Sequence, residues 1–365
     1  MHRRDFLRVA GAASAGFALP AISTHAFANP NAADKWRIFE VTTTVEVLKP
    51  QGTTHVWLPT PLAQDARYIK SLGNQWSAQG GKIGYSEETR YKAGVVSAEF
   101  PEGTAPRLVL VSRFATHDVA VDFSRRGDAP GEDRETLRKY TQATELLPTD
   151  GIVKDTSSDI VRGVRGGDLE KARAIYEWIV DNTYRDGKVR GCGTGDIKFM
   201  LENKAMGGKC ADLNALFVAL ARAEGIPARD VYGIRVANSN LGYKSLGKAG
   251  DITKAQHCRA EFYAQGYGWV PVDPADVRKV ILEEDGGKKE DDPMVLAARK
   301  RLFGSWEMNW LAYNYAHDVP LPGSQRGKIG FLMYPQSETA DGRLDSLDPD
   351  HFKYTITSKE IVLAA

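Results

Sequence analysis

The stretch Gly207-Gly208-Lys209-Cys210-Ala211-Asp212-Leu213-Asn214-Ala215-Leu216 decides how the rest of the chain is read. Two glycines and a lysine run into a cysteine. From there Leu213, Leu216, Phe217 and Leu220 recur at helical spacing. Gly225, with Pro227 two residues on, is a stop signal, so the pattern predicts a helix that begins at the cysteine. A thiol in the first turn of a helix lies at the positive end of the macrodipole, beside unpaired backbone N–H groups. Both favour thiolate over thiol. Lys209 adds positive charge beside it. A lone cysteine is as often only a small buried side chain, so the reading turns on whether the chain supplies partners.

Gln256-His257-Cys258-Arg259-Ala260-Glu261-Phe262-Tyr263 alternates as a strand does, with Cys258, Ala260 and Phe262 directed to a core. Ala264-Gln265-Gly266 reads as a tight turn, and Tyr267-Gly268-Trp269-Val270-Pro271-Val272-Asp273-Pro274 as the returning strand. Pairing Tyr263 with Tyr267 brings His257 opposite Asp273 on the same face. Residues directly opposite on antiparallel strands have Cβ atoms roughly 4.5–5.5 Å apart. A carboxylate can then hold one ring nitrogen and leave the other for a thiol. In this register Cys258 is a core residue. Cys192, in a glycine-rich loop, is open to three readings: a loop thiol, a partner for Cys258, or a redox lock on Cys210.

The 365 residues, 42% hydrophobic and 26% charged, suit a globular protein of more than one unit. A net charge of +1 gives no electrostatic reason to expect nucleic acid or an anionic membrane as partner. His2-Arg3-Arg4-Asp5-Phe6-Leu7-Arg8, a weakly apolar run and Ala26-Phe27-Ala28 resemble a twin-arginine export signal spanning residues 1–28. That implies a periplasmic or secreted protein, and no later stretch reads as a membrane span. Three cysteines in an oxidising compartment leave at least one thiol free or paired between molecules. Residues 29–130 read as β-rich, with short strands and regular turn signals that suggest a β-sandwich. Residues 131–283 hold the helices and the hairpin, and 284–365 form an extension packing on that core. The aromatic-dense run Phe303 to Tyr315 and the segments Phe331–Pro335 and Phe352–Thr357 are candidate cleft walls, with plain packing as the alternative. Cysteines and histidines lack structural-zinc spacing, so neither metal nor cofactor is expected.

Gly208-Lys209-Cys210-Ala211-Asp212, then Arg222-Ala223-Glu224-Gly225-Ile226-Pro227-Ala228-Arg229, then His257 and Trp269-Val270-Pro271-Val272-Asp273-Pro274 together resemble the transglutaminase-like superfamily of papain-like cysteine enzymes. The resemblance covers roughly residues 135–280. It implies an α+β fold with a cysteine-bearing helix packed on an antiparallel sheet, preceded here by the sandwich. It also implies Cys210 as nucleophile, His257 as general base and acid, Asp273 as orienting carboxylate, and Tyr184 as a candidate second oxyanion donor. The expected activity is on amide bonds of a peptide or protein through an acyl-thioester. The resolving group is water in a peptidase or amidase and an amine in a cross-linking transglutaminase. A non-catalytic envelope-binding protein of the same fold is the reading from another class. Substrate identity and oligomeric state stay open.

Overall fold

The structure, a computed structural model, describes residues 36–362 apart from 128 and 130. The export-signal reading lies outside those residues. At the centre is the helix Cys210–Ala223, in which every residue except Asp212 and Ala223 is buried. A helix apolar on all sides must be wrapped on all sides. Helices Gly151–Val161 and Asp168–Asn182 and the strand Arg259–Ala264 pack around it. Leu216 and Phe217 are fully buried there. Leu216→Ala is therefore expected to cost about 2–5 kcal/mol of stability, read as a lowered denaturation midpoint at unchanged slope.

Beneath the helix lies an antiparallel sheet in the order Gly268–Val272, Arg259–Ala264, Ala228–Arg235, Trp310–Asn314. The β-rich region forms two five-stranded sheets. In one, Arg37–Val47 sits between Phe352–Ile361 and Arg107–Thr116. Its side chains alternate, with Phe39, Val41, Thr43, Val45 and Val47 turned inward. In the other, Thr54–Pro59 sits between Gln336–Thr339 and Gly94–Phe100. Val45, Val47, Val56, Leu58, Phe100 and Leu110 fill the space between the sheets.

Sheet pairing crosses the sequence boundaries at 130 and 283. Residues after 300 supply Trp310–Asn314 to the central sheet, and Gln336–Thr339 and Phe352–Ile361 to the sandwich. The described residues form one compact unit. No helix among them is long and apolar enough to cross a membrane. In the aromatic-dense run, Phe303, Trp306, Trp310 and Tyr313 are buried packing residues.

The hairpin register differs from the expected one by two residues. Tyr263 pairs with Trp269, and Ala264 with Gly268. The turn is Gln265-Gly266-Tyr267, closed by the Tyr267 N–H donating to the Ala264 carbonyl at 2.9 Å. Gly266 and Gly268 take φ of +88° and +72°, which places the reversal one residue later than the single-glycine turn assumed. A shift of two preserves which face each side chain takes, because the strand period is two. His257 and Asp273 thus become diagonal rather than directly opposite neighbours, and still meet.

Candidate active site

Cys210 is the first residue of its helix and is 4% exposed. Asp212 fixes the loops around it. One carboxylate oxygen accepts from the N–H of Lys209 at 2.9 Å, and the other from the N–H groups of Thr194 and Gly195, each at 3.0 Å. The Ala211 N–H donates to the Cys192 carbonyl at 2.9 Å, tying the glycine-rich loop to the helix start. Gly193 has φ +93°, and a Cβ there would lie 1.9 Å from the Asp212 carboxylate. Only glycine suits this crossing. Asp212→Ala strips three N–H groups of their acceptor, and is expected to cost about 2–4 kcal/mol and to slow Cys210 alkylation.

His257 and Asp273 meet as expected. His257 Nε2 lies 2.8 Å from Asp273 Oδ2, with both side chains buried. That leaves Nδ1 free of the carboxylates, and His257 acts on Cys210 to lower its thiol. Asp273 is also the N-cap of the helix Pro274–Glu283. Its Oδ1 accepts from the Asp276 N–H at 3.0 Å and from Asn214 Nδ2 at 3.1 Å. Asn214 stands one turn after Cys210 and also donates to the Cys258 carbonyl at 2.8 Å, so one amide locks the cysteine helix to the histidine strand.

Three further residues complete the network and were not anticipated. Asp276 Oδ2 lies 3.4 Å from His257 Nε2, and Arg235 grips both Asp276 oxygens at 2.6 and 2.8 Å. Arg259 Nε is 3.6 Å from Asp273. Asp273-Pro274-Ala275-Asp276 carries a legible signal, an N-cap acid followed three residues on by another acid. The arginines carry none, since a strand arginine is ordinarily a solvated one.

The charges balance. Burial opposes ionisation of Asp276, but Arg235 and then His257 hold its carboxyl well below the ordinary range. Burial and the neighbouring Asp276 raise Asp273. Burial and Arg235 press His257 down, yet Asp276 and Asp273 prevail and lift it to about 9. Cys210 falls well below its ordinary value, through hydrogen bonds from Cys192 and Cys258 and, against burial, through His257. The thiols of Cys192 and Cys258 are pushed up, the first chiefly by its bond to Cys210 and the second chiefly by burial. All three cysteines are free. Cys192 also donates to the Gln256 carbonyl at 3.3 Å, and Cys258 contacts the Met333 sulfur at 3.8 Å. These directions favour a thiolate on Cys210 beside an imidazolium on His257, with the two neighbouring thiols neutral.

A stability window follows. The raised His257 contributes stability that is complete below about 6.5, its ordinary value, and lost as pH rises through about 9. The depressed Asp276 contributes stability present above its ordinary 3.8 and lost as pH falls. Their joint contribution is expected to peak between about pH 4 and 6.5, which thermal melts of wild type against Asp276→Asn will read.

Cys210 and His257 open into a cleft of about 780 Å³. Tyr334, Leu347, Phe352 and Tyr354 from the C-terminal segment line part of it. Tyr184 is not among the lining residues. It is 53% exposed, pairs with Gly207, and its ring occupies the space a Cβ on Gly207 would need. The Cys210 N–H, in the first turn of its helix, has no backbone acceptor among the described residues. His257, Asp273 and Asp276 bring three ligand atoms within 4.8 Å of one another. Both oxygens of Asp276 are already held by Arg235, and Asp273 by Asn214 and a backbone N–H, so the two carboxylates are already partnered within the protein.

Comparison with known proteins bears on the same region. The family model of the transglutaminase-like superfamily core matches residues 154–274, which contain Cys210, His257 and Asp273. An uncharacterized protein of Haemophilus influenzae is 36% identical over 360 residues, covering 92% of this chain and 95% of its own. Among solved structures, a candidate cysteine protease from Cytophaga hutchinsonii is 18% identical with a TM-score of 0.49, over 81% of this chain and 97% of that one. The periplasmic domain of TgpA from Pseudomonas aeruginosa is 16% identical with a TM-score of 0.37, over 67% and 91%. The chain belongs to the transglutaminase-like superfamily.

Proposed function

We propose that the protein is an exported thiol enzyme that cleaves amide bonds in peptides or proteins by way of an acyl-thioester. The observation that carries this reading is the buried chain Cys210–His257–Asp273, with a lowered thiol, a raised imidazole and a carboxylate on the far ring nitrogen. The Cys210 thiolate attacks the amide carbonyl carbon, and the carbonyl oxygen takes the negative charge toward the Cys210 N–H. His257 gives its Nδ1 proton to the leaving amine as the C–N bond breaks. It then takes a proton from water, whose oxygen adds to the thioester carbonyl, and the thiolate leaves. Asp273 and Asp276 keep the imidazolium oriented and charged. Export rests on the twin-arginine-like signal of residues 1–28. An amine in place of water gives the cross-linking alternative.

One experiment separates these outcomes. The full chain is incubated with a peptide library and a fluorescent primary amine, and products are read by mass spectrometry. Peptidase activity predicts new carboxyl termini carrying a water oxygen. Amine incorporation without cleavage would move the assignment to cross-linking. Loss of neither substrate nor amine, with Cys210 unlabelled by electrophiles, would leave a binding protein.

A further inference from the structure

A net charge of +1 conceals a strong local imbalance. Among the described residues, the cleft that holds Cys210 and His257 is lined by seven lysines and arginines and one carboxylate, Asp251. Four of the seven are answered by acids. Arg185 and Lys279 share Glu283, Arg190 pairs with Asp345, and Arg235 holds Asp276. No carboxylate forms an ion pair with Lys209, Lys248 or Lys254 among the described residues. Lys248 and Lys254 are exposed at the rim, near enough to Asp251 to act on its ionisation.

Their placement is informative. Lys209 immediately precedes the thiol, whereas Lys248 and Lys254 belong to the segment leading into His257. A scissile carbonyl must sit between thiol and imidazole, so it is approached by positive charge from both catalytic segments. Low-dielectric cleft walls focus such a field, so it acts on a ligand more strongly than the same charges spread over a surface. Leu347, Phe352 and Tyr354, which also line the cleft, can take aliphatic stems.

We infer that this cleft selects acidic peptide segments, with Asp, Glu or other carboxylate-bearing residues flanking the amide that faces Cys210. This inference rests on the proposed acyl-transfer chemistry for its placement of the amide. Lys248 and Lys254 determine specificity and are not catalytic residues. Carboxylates of the substrate occupy positions that the chain's own acids leave open, and each contact is screened by salt.

The test uses the full chain carrying Cys210→Ala, so that bound peptide is not consumed. Fluorescent ten-residue pools biased to Asp and Glu, neutral, or biased to Lys and Arg are titrated at low and at 300 mM salt. The acidic pool is expected to bind at least about tenfold more tightly than the neutral one at low salt, with most of that advantage gone at 300 mM. Lys248→Met with Lys254→Met should erase the advantage, and Lys248→Glu with Lys254→Glu should turn it toward the basic pool. Both pairs are at exposed positions, so the fold tolerates them. Equal binding of all pools, a preference for the basic pool, an advantage that persists after charge reversal, or tight retention of a single-stranded oligonucleotide with no preference among peptides would overturn the inference. Alkylation of wild-type Cys210 by neutral iodoacetamide is followed in parallel. A reactive Cys210 without acidic preference removes the specificity assignment alone. An inert Cys210 with acidic preference removes the chemistry and keeps the acidic-peptide site.

Discussion

His257→Ala is expected to lower turnover by a factor on the order of 10⁴–10⁶, comparable to the loss from removing Cys210 itself. The two losses should not add, because the groups act as one unit. The imidazole is more than a proton carrier here. After the hydrogen bonds of Cys192 and Cys258, its interaction favours a Cys210 thiolate in a site where burial favours the neutral thiol. Without it, Asp273 and Asp276 face each other with only Arg235 and Arg259 between them, and the thiol must rise. The wild-type rate for amide cleavage should climb as Cys210 ionises, remain level through neutrality, and fall near pH 9 as His257 loses the proton it gives to the leaving amine. Kinetics of kcat/KM against pH on any cleaved peptide will show that falling limb. A limb displaced to pH 6–7 would mean that the carboxylates do not raise the imidazole.

Asp273→Ala should be the most damaging substitution for fold and activity together. One carboxylate accepts from His257 and Asn214 and caps the helix Pro274–Glu283. Losing the cap costs about 0.5–2 kcal/mol, and each buried donor left unpaired about 1–3 kcal/mol. Relief of the repulsion between Asp273 and Asp276 offsets part of this. We expect a net loss of about 3–5 kcal/mol in denaturant unfolding, with activity lost at temperatures where the variant is still folded. Asp273→Asn separates the two roles. It keeps an acceptor oxygen for cap and amide, so most stability should return, whereas it cannot supply the charge that keeps His257 protonated. A variant that recovered stability and full activity together would show that orientation alone suffices.

What the sequence disclosed follows from which interactions are local. The Cys210 helix was legible because its apolar spacing and its Gly–Pro stop are short-range signals. His257 and Asp273 were legible because a hairpin brings together residues sixteen apart. The register was misjudged by two because Gly266 and Gly268 both take positive φ, and sequence alone does not say which ends the turn. The face assignment survived because the error was even. Arg235 and Asn214 were missed since their partners lie far along the chain, and Arg259 because the misjudged register set it opposite Pro271 and not beside Asp273. Asn214 reads as one more residue of an apolar helix until Asp273 is beside it. The three-thiol cluster has the same origin, with Cys192 brought to Cys210 by the Ala211 N–H bond and by Asp212 holding the loop. The pairing of Phe352–Ile361 with Arg37–Val47, over three hundred residues apart, has no local signature.

The central claim is that Cys210 exists as a thiolate paired with the His257 imidazolium. The direct measurement is the rate of Cys210 carbamidomethylation by iodoacetamide from pH 4 to 10, quantified on the Cys210 peptide, in wild type and in His257→Ala. The account predicts a wild-type midpoint well below the ordinary thiol value of about 8.5, and a higher midpoint in the variant. A wild-type midpoint at or above the ordinary value, or one that His257→Ala leaves in place, would contradict it.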